Sequence, residues 1–114
     1  MSVVIYHNPR CSKSRQTLAL LEEKNIQPEI IKYLETPPTV AELKTLYSQL
    51  CLKEVRDMMR TKEDIYKELS LASASDQKLF EAMSNNPKLI ERPIVVKGGR
   101  AKHGRPPEQV LEIL

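Results

Sequence analysis

The run Ile5-Tyr6-His7-Asn8-Pro9-Arg10-Cys11-Ser12-Lys13-Ser14-Arg15 sets one thiol between a short apolar stretch and an amphipathic one. A cysteine at a helix start meets the positive end of the helix dipole and unpaired backbone N–H groups. Both favour thiolate, the reactive form of the side chain. Arg10, Lys13, Arg15 and His7 add positive charge. The same features hold oxyanions, so a nucleophile and an anion site coincide. Ser14 stands where a dithiol oxidoreductase carries its second cysteine, so no disulfide can close within the motif. The thiol must be resolved by another molecule or by Cys51.

The neighbours carry alternative roles. His7 as a cation lowers the thiol pKa; as a neutral base it accepts the thiol proton; as a strand-end residue it only packs. Asn8 and Pro9 shape a loop that presents backbone N–H groups, unless Asn8 is a plain turn residue. The Ser14 hydroxyl either donates to the thiolate or caps the helix. Arg15 is four residues from Cys11 and shares its helix face, as an anion ligand or as an ordinary surface arginine. Cys51, between Leu50 and Leu52 at an apolar helix end, is expected to be buried and structural.

These residues must be positioned by the elements around them. Met1 to Tyr6 is β-branched and reads as a buried strand. Ser12 to about Lys24 reads as a helix, with Leu18, Leu20 and Leu21 on its apolar stripe and Asn25 as its stop. Pro28 opens a second strand, Glu29 to Leu34, centred on Ile30 and Ile31. Strand, helix and strand with short links predict a parallel pair with a right-handed crossover. Thr39 and Glu42 form a capping box for a helix carrying Val40, Leu43, Leu46, Tyr47 and Leu50. Helices follow at about Lys53 to Met59, Asp64 to Leu69, and from Ser75 or Asp76 to Asn85, with no strand signal between them. Leu89 to Lys97 regains strand character, and Gly98-Gly99 is a two-residue hairpin turn before a strand from Arg100 to His103. Pro106-Pro107 leads into a last helix with Val110, Leu111 and Leu114 on one face. The order is β-α-β, a helical insert at about 39–90, then β-β-α. It describes a thioredoxin-like α/β fold with a four-stranded mixed sheet, one domain over residues 1–114.

That topology gives meaning to three remote arginines. Arg92 precedes Pro93 at the head of the third strand, where a thioredoxin-like sheet brings the chain close to the cysteine. Arg105 precedes the last helix, and Arg60 ends a helix of the insert. A guanidinium offers a tetrahedral oxyanion two parallel charge-assisted bonds. Two histidines and two cysteines lie without metal-ligand spacing, and no glycine-rich phosphate loop precedes a helix.

Composition narrows the classes further. A net charge of +3, from 18 basic and 15 acidic residues, is too mild to indicate nucleic-acid binding. The absence of Trp and a single Phe leave few platforms for stacking bases. The apolar run Val3–Tyr6 is too short for a signal peptide or a membrane span. Two isolated cysteines suit a reducing, cytoplasmic setting.

The combined pattern His7-Asn8-Pro9-x-Cys11-x-x-Ser14-Arg15-x-Thr17-Leu18, Arg92-Pro93-Ile94-Val95 and Gly104-Arg105-Pro106 resembles the glutaredoxin-type, glutathione-linked arsenate reductases. The resemblance spans nearly the whole chain. It implies that Cys11 attacks arsenate, that Arg60, Arg92 and Arg105 bind the oxyanion, and that His7 and Ser14 assist the thiolate. It implies glutathione as co-substrate, glutaredoxin to resolve the mixed disulfide, arsenite as product and no bound cofactor. Ser12-Lys13 replaces the Gly-Thr of the best-studied branch. Related sequences include a regulator that binds RNA polymerase, so a redox-sensing or polymerase-binding adaptor is the alternative. That regulator commonly has a second cysteine in the motif, where this chain has Ser14.

Overall fold

The computed structural model describes residues 2–114. They form two compact units. One comprises the chain up to Thr36 together with Arg92–Leu114, and the other is Pro37–Glu91.

The first unit holds β1 (Val3–Tyr6), α1 (Ser12–Glu23), β2 (Glu29–Ile31), β3 (Ile94–Lys97), β4 (Arg100–His103) and a closing 3-10 segment, Pro107–Ile113. The strands form one four-stranded sheet in the order β2-β1-β3-β4. β1 runs parallel to β2, with Ile5 opposite Ile30, and antiparallel to β3, with Ile5 opposite Val95. β3 and β4 are antiparallel, with Val96 opposite Ala101. The mixed sheet follows from the two kinds of connection. A helix links the parallel pair, and the tight Gly98-Gly99 turn links the antiparallel one. Both glycines have positive φ, 57° and 79°, as a type I′ hairpin turn requires.

Side-chain alternation along β1 buries Val3 and Ile5 on one face. They pack with Leu21 of α1, Val95 of β3, and Val110 and Ile113 of the 3-10 segment, while Leu18, Leu20, Ile26 and Leu114 close the edges. Each fully buried aliphatic side chain here contributes roughly 1.5–3 kcal/mol. α1 ends in a Schellman motif. Asn25 takes φ 60°, its N–H reaches the Glu22 carbonyl at 2.9 Å, and the Ile26 N–H reaches that of Leu21 at 3.0 Å. Ile26 thereby folds back onto the cluster that contains Leu21.

Three local expectations change. Met1 lies outside the described residues, and β1 begins at Val3. β2 stops at Ile31 rather than Leu34, because the Lys32 carbonyl accepts the N–H groups of Glu35 and Thr36 and turns the chain. Ile30, on this edge strand, is exposed. The last segment is 3-10, not α. Its three-residue period aligns Val110 with Ile113 on the core side and turns Leu111 outward.

The second unit holds α2 (Val40–Leu50), α3 (Asp64–Glu68), α4 (Asp76–Asn85) and short 3-10 turns at Val55–Met58, Leu71–Ser73 and Pro87–Leu89. The Thr39 and Glu42 capping box closes with both of its bonds, at 3.0 and 3.1 Å. α2 packs on α4, with Tyr47 edge-on to Phe80 at a centroid separation of 5.9 Å. Arg56 ties the unit together. Its Nε donates to the Tyr66 hydroxyl and its Nη2 to the carbonyls of Leu71, Ala72 and Ala74. Where a helix was expected from Lys53 to Met59, only the 3-10 turn forms, and the chain then extends into a one-residue bridge between Met59 and Ile90. Cys51 is not buried. It caps α2 in the left-handed conformation, φ 55°, and this reversal carries its side chain into solvent.

Candidate functional site

The loop between β1 and α1 is a turn stabilised from within. The Asn8 carbonyl accepts the Cys11 N–H at 3.0 Å, and the Asn8 side-chain oxygen accepts the Arg10 N–H at 3.0 Å. Asn8 therefore consumes amides that an N–H cradle would need. Arg15 fixes the same turn from outside, donating from Nη1 to the Pro9 carbonyl at 3.0 Å.

Beneath the turn, Ser14 is fully buried. Its hydroxyl oxygen accepts the Asn8 N–H at 3.0 Å and lies 2.7 Å from His7 Nδ1. His7 is itself buried. Burial, then the charges of Lys32 and Arg15, hold its pKa below the ordinary imidazole value. At neutral pH the ring is uncharged, and the arrangement that satisfies both groups has Ser14 O–H donating to Nδ1. Hence His7 does not act as a cation beside the thiol, and the Ser14 hydroxyl is committed to His7.

Cys11 occupies the N-cap position of α1 with extended backbone and is 9% exposed. Burial pushes its thiol pKa up. The Ser14 amide, the hydrogen bond and charge of Arg92, and the Lys13 amide outweigh this and hold the pKa below the ordinary thiol value. Arg105 Nη2 lies 3.9 Å from the sulfur, and Arg105 Nε donates to the Arg92 carbonyl at 2.8 Å. The sulfur is thus covered by guanidinium and amide groups. The Arg92–Pro93 and Arg105–Pro106 peptides are both cis.

The ArsC family model matches residues 6–113. The chain belongs to the ArsC family. It is 57% identical over 116 residues to an arsenate reductase of Haemophilus influenzae, covering 100% of both chains. Identity is 59% over 114 residues to the uncharacterized protein YfgD of Escherichia coli K12, covering 98% of this chain and 96% of that one. The solved structure of an arsenate reductase from Vibrio cholerae superposes with a TM-score of 0.98 at 70% identity, covering 100% of this chain and 98% of that one. The four-stranded mixed sheet is the thioredoxin-like arrangement of these relatives.

In this ArsC chain the first unit assembles Cys11, His7, Asn8, Ser14, Arg15, Arg92, Pro93 and Arg105. Arg60 belongs to the second unit. There its Nη1 lies 3.3 Å from Glu91 and its Nε 3.7 Å from Glu63. Among the described residues no group of three or more His, Cys, Asp or Glu could hold a metal ion. None of the described helices is long and apolar enough to cross a membrane.

Three supporting residues, Gly104, Thr17 and Lys32, have no individual role legible in the sequence. Gly104 donates its N–H to the Pro93 carbonyl at 2.9 Å, and a Cβ there would strike the Thr17 side chain and approach the Pro93 ring to 2.8 Å. Buried Thr17 in turn donates to the Lys13 carbonyl at 2.8 Å. The missing Cβ lets the Arg92 and Arg105 segments close onto α1. The recognisable signal was a glycine directly before Arg105 that no turn requires. Lys32 also acts here, through its charge on His7. Nothing in the sequence beside it announces this.

Proposed function

We propose that this protein is an arsenate reductase with Cys11 as its nucleophile. The observation that carries the reading is the Cys11 sulfur held below its ordinary pKa, with Arg92 acting on it and Arg105 at 3.9 Å. The thiolate attacks arsenic(V), an As–O bond breaks, and water leaves with the protons taken up. A glutathione thiolate then attacks the Cys11 sulfur. The S–As bond breaks with its electron pair on arsenic, which departs as arsenite. The Cys11–glutathione disulfide that remains loses its glutathione to glutaredoxin, restoring the thiolate. Two thiols supply the two electrons, so no bound cofactor is needed.

Arg92 and Arg105 bind the oxyanion through paired charge-assisted donors. Arg60 takes the same role on the strength of the family resemblance. His7 and Ser14 hold the turn that presents the sulfur, Asn8 and Arg15 fix its shape, and Pro93 sets the path of Arg92. A cytoplasmic setting, rich in reduced thiols, would keep Cys11 reactive.

The test is arsenate-dependent consumption of reducing equivalents with glutathione, glutaredoxin and a regenerating system present. Arg92→Ala is expected to raise the KM for arsenate about tenfold or more, the scale of a lost charge-assisted bond. Its effect on the reaction of Cys11 with a neutral alkylating agent should be smaller. Equal losses in both assays would mean that Arg92 serves the thiol and not the anion. Recovery of polymerase subunits from extract, with no arsenate turnover, would instead favour the adaptor reading.

A further inference from the structure

Gly104 has no conformational reason to be glycine. Gly98 and Gly99 take positive φ at the hairpin turn, and Gly104 does not. It is buried, and space alone forbids a side chain there. A Cβ would strike the Thr17 hydroxyl, come within 3.1 Å of the Thr17 Cβ and within 2.8 Å of the Pro93 ring. Thr17 is itself fully buried, and its hydroxyl donates to the Lys13 carbonyl at 2.8 Å, one turn back along α1.

These contacts close a ring around the Cys11 sulfur. On one side, the β3–β4 ladder, whose end rung pairs Ile94 with His103, is prolonged beyond the sheet. The Gly104 N–H donates to the Pro93 carbonyl at 2.9 Å, and Arg105 Nε donates to the Arg92 carbonyl at 2.8 Å. Arg92, Pro93, Gly104 and Arg105 are thereby tied into one body. On the other side, Lys13 and Ser14 lie in the first turn of α1 and give their amides to the sulfur. The two sides meet where Gly104 rests on Thr17. The thickness of that contact sets how near the guanidinium groups stand to the helix amides. Protein interiors are packed densely enough that one added methyl is felt by its neighbours.

We propose that the Thr17 hydroxyl seated against Gly104 is a spacer that fixes the gap between the α1 amides and the Arg92–Arg105 pair, so that both sets of donors reach one sulfur and one anion. Thr17 and Gly104 are positioning residues. They act through Lys13, Arg92 and Arg105 and not on the reacting atoms. The effect on the sulfur is independent of what Cys11 attacks. The effect on the anion rests on the arsenate reading above.

Gly104→Ala should drive the Arg92–Arg105 body away from α1. The midpoint of Cys11 alkylation against pH, read with a neutral reagent, is expected to rise by about one unit, the scale of weakening one charge-assisted bond to the thiolate. The KM for arsenate should rise about tenfold for the same reason. Turnover at saturating arsenate, measured above the new midpoint, should change less. Adding Thr17→Ala to Gly104→Ala removes the hydroxyl that the new methyl strikes and should restore most of the midpoint shift, with the Pro93 contact keeping the rescue incomplete. Thr17→Val keeps the branched shape, loses the bond to Lys13 and sets a methyl against Gly104. Its midpoint should rise in the same direction, which keeps the spacer open to test even where Gly104→Ala fails to fold. An unmoved midpoint in Thr17→Val and in folded Gly104→Ala would overturn the spacer. So would a Thr17→Ala change that deepens the Gly104→Ala loss instead of relieving it. Alkylation uses no arsenate, so the two readings separate. A moved and rescued midpoint in a protein that does not turn over arsenate would keep the spacer and sink the arsenate reading. Arsenate turnover by the unaltered chain, with unmoved midpoints in the variants, would do the reverse.

Discussion

The two cysteines of this chain sit at opposite kinds of helix end. Cys11 is at the N-cap of α1, where amide N–H groups point outward, and is 9% exposed. Cys51 is at the C-cap of α2, where carbonyls point outward, and is open to solvent. Accessibility alone would choose Cys51 as the reactive thiol. Chemistry chooses Cys11, because the Ser14 and Lys13 amides and Arg92 stabilise its charged form despite burial, with Arg105 beside it. The lesson is that a thiol becomes a nucleophile through what faces the sulfur, and a small accessible area suffices for a small reactant.

The largest expected effect breaks or upholds this contrast outright. Cys11→Ser should reduce arsenate turnover about a thousandfold or more, the scale for removing a nucleophile. Cys51→Ser should change it by no more than about twofold, as for a surface substitution away from the chemistry. If Cys51→Ser abolished turnover with the fold intact, Cys51 would be a resolving thiol and the contrast would fail. A smaller effect sharpens the cause. The rate of Cys11 alkylation against pH should have its midpoint below the ordinary thiol range of about 8.5. Arg92→Ala removes a donor and a cation from the thiolate, so the midpoint should move upward and the rate at neutral pH should fall. An unmoved midpoint would assign the depression to the helix amides alone.

What could be read from the sequence was what depends on near neighbours. The β1-α1-β2 unit, the Thr39 and Glu42 box, the Asn25 stop and the Gly98-Gly99 hairpin all rest on residues within a few positions of one another. The parallel β1–β2 pair and the antiparallel β3–β4 pair follow from their short connections, whereas the antiparallel β1–β3 pair that joins them into one sheet is set by no short connection. The apolar neighbours Leu50 and Leu52 point to a buried Cys51, but the left-handed reversal at Cys51 itself, which no neighbouring residue type encodes, exposes it. The states of His7 and Ser14 depend on burial and on Lys32, which only the folded chain brings to bear on His7, so the sequence admits several roles for both. The turn amides were expected to face an anion, yet Asn8 claims those of Arg10 and Cys11 with two different oxygens. Close approach at Gly104 is likewise a tertiary property, since the Cβ it excludes would meet Thr17 and Pro93 from distant parts of the chain.

The smallest expected effect concerns the contrast between a charged sulfur and the uncharged ring behind it. His7 has its pKa lowered in the folded state, by burial first and then by Lys32 and Arg15. The unfolded chain therefore binds a proton to His7 at a higher pH than the folded chain does. Stability from this residue is present above the ordinary imidazole value and declines as pH falls through it toward the folded value. Urea unfolding measured across the mildly acidic range should show that decline, and His7→Gln should flatten it, since glutamine has no proton to gain. The same protonation would place a positive charge next to Ser14 and force its hydroxyl to stop donating to Nδ1, loosening the turn that carries Cys11. Loss of arsenate turnover on acidification should then exceed what the falling thiolate fraction alone accounts for. If turnover instead tracked the alkylation profile of Cys11 at every pH, His7 would be a packing residue and the buried ring would have no part in presenting the sulfur.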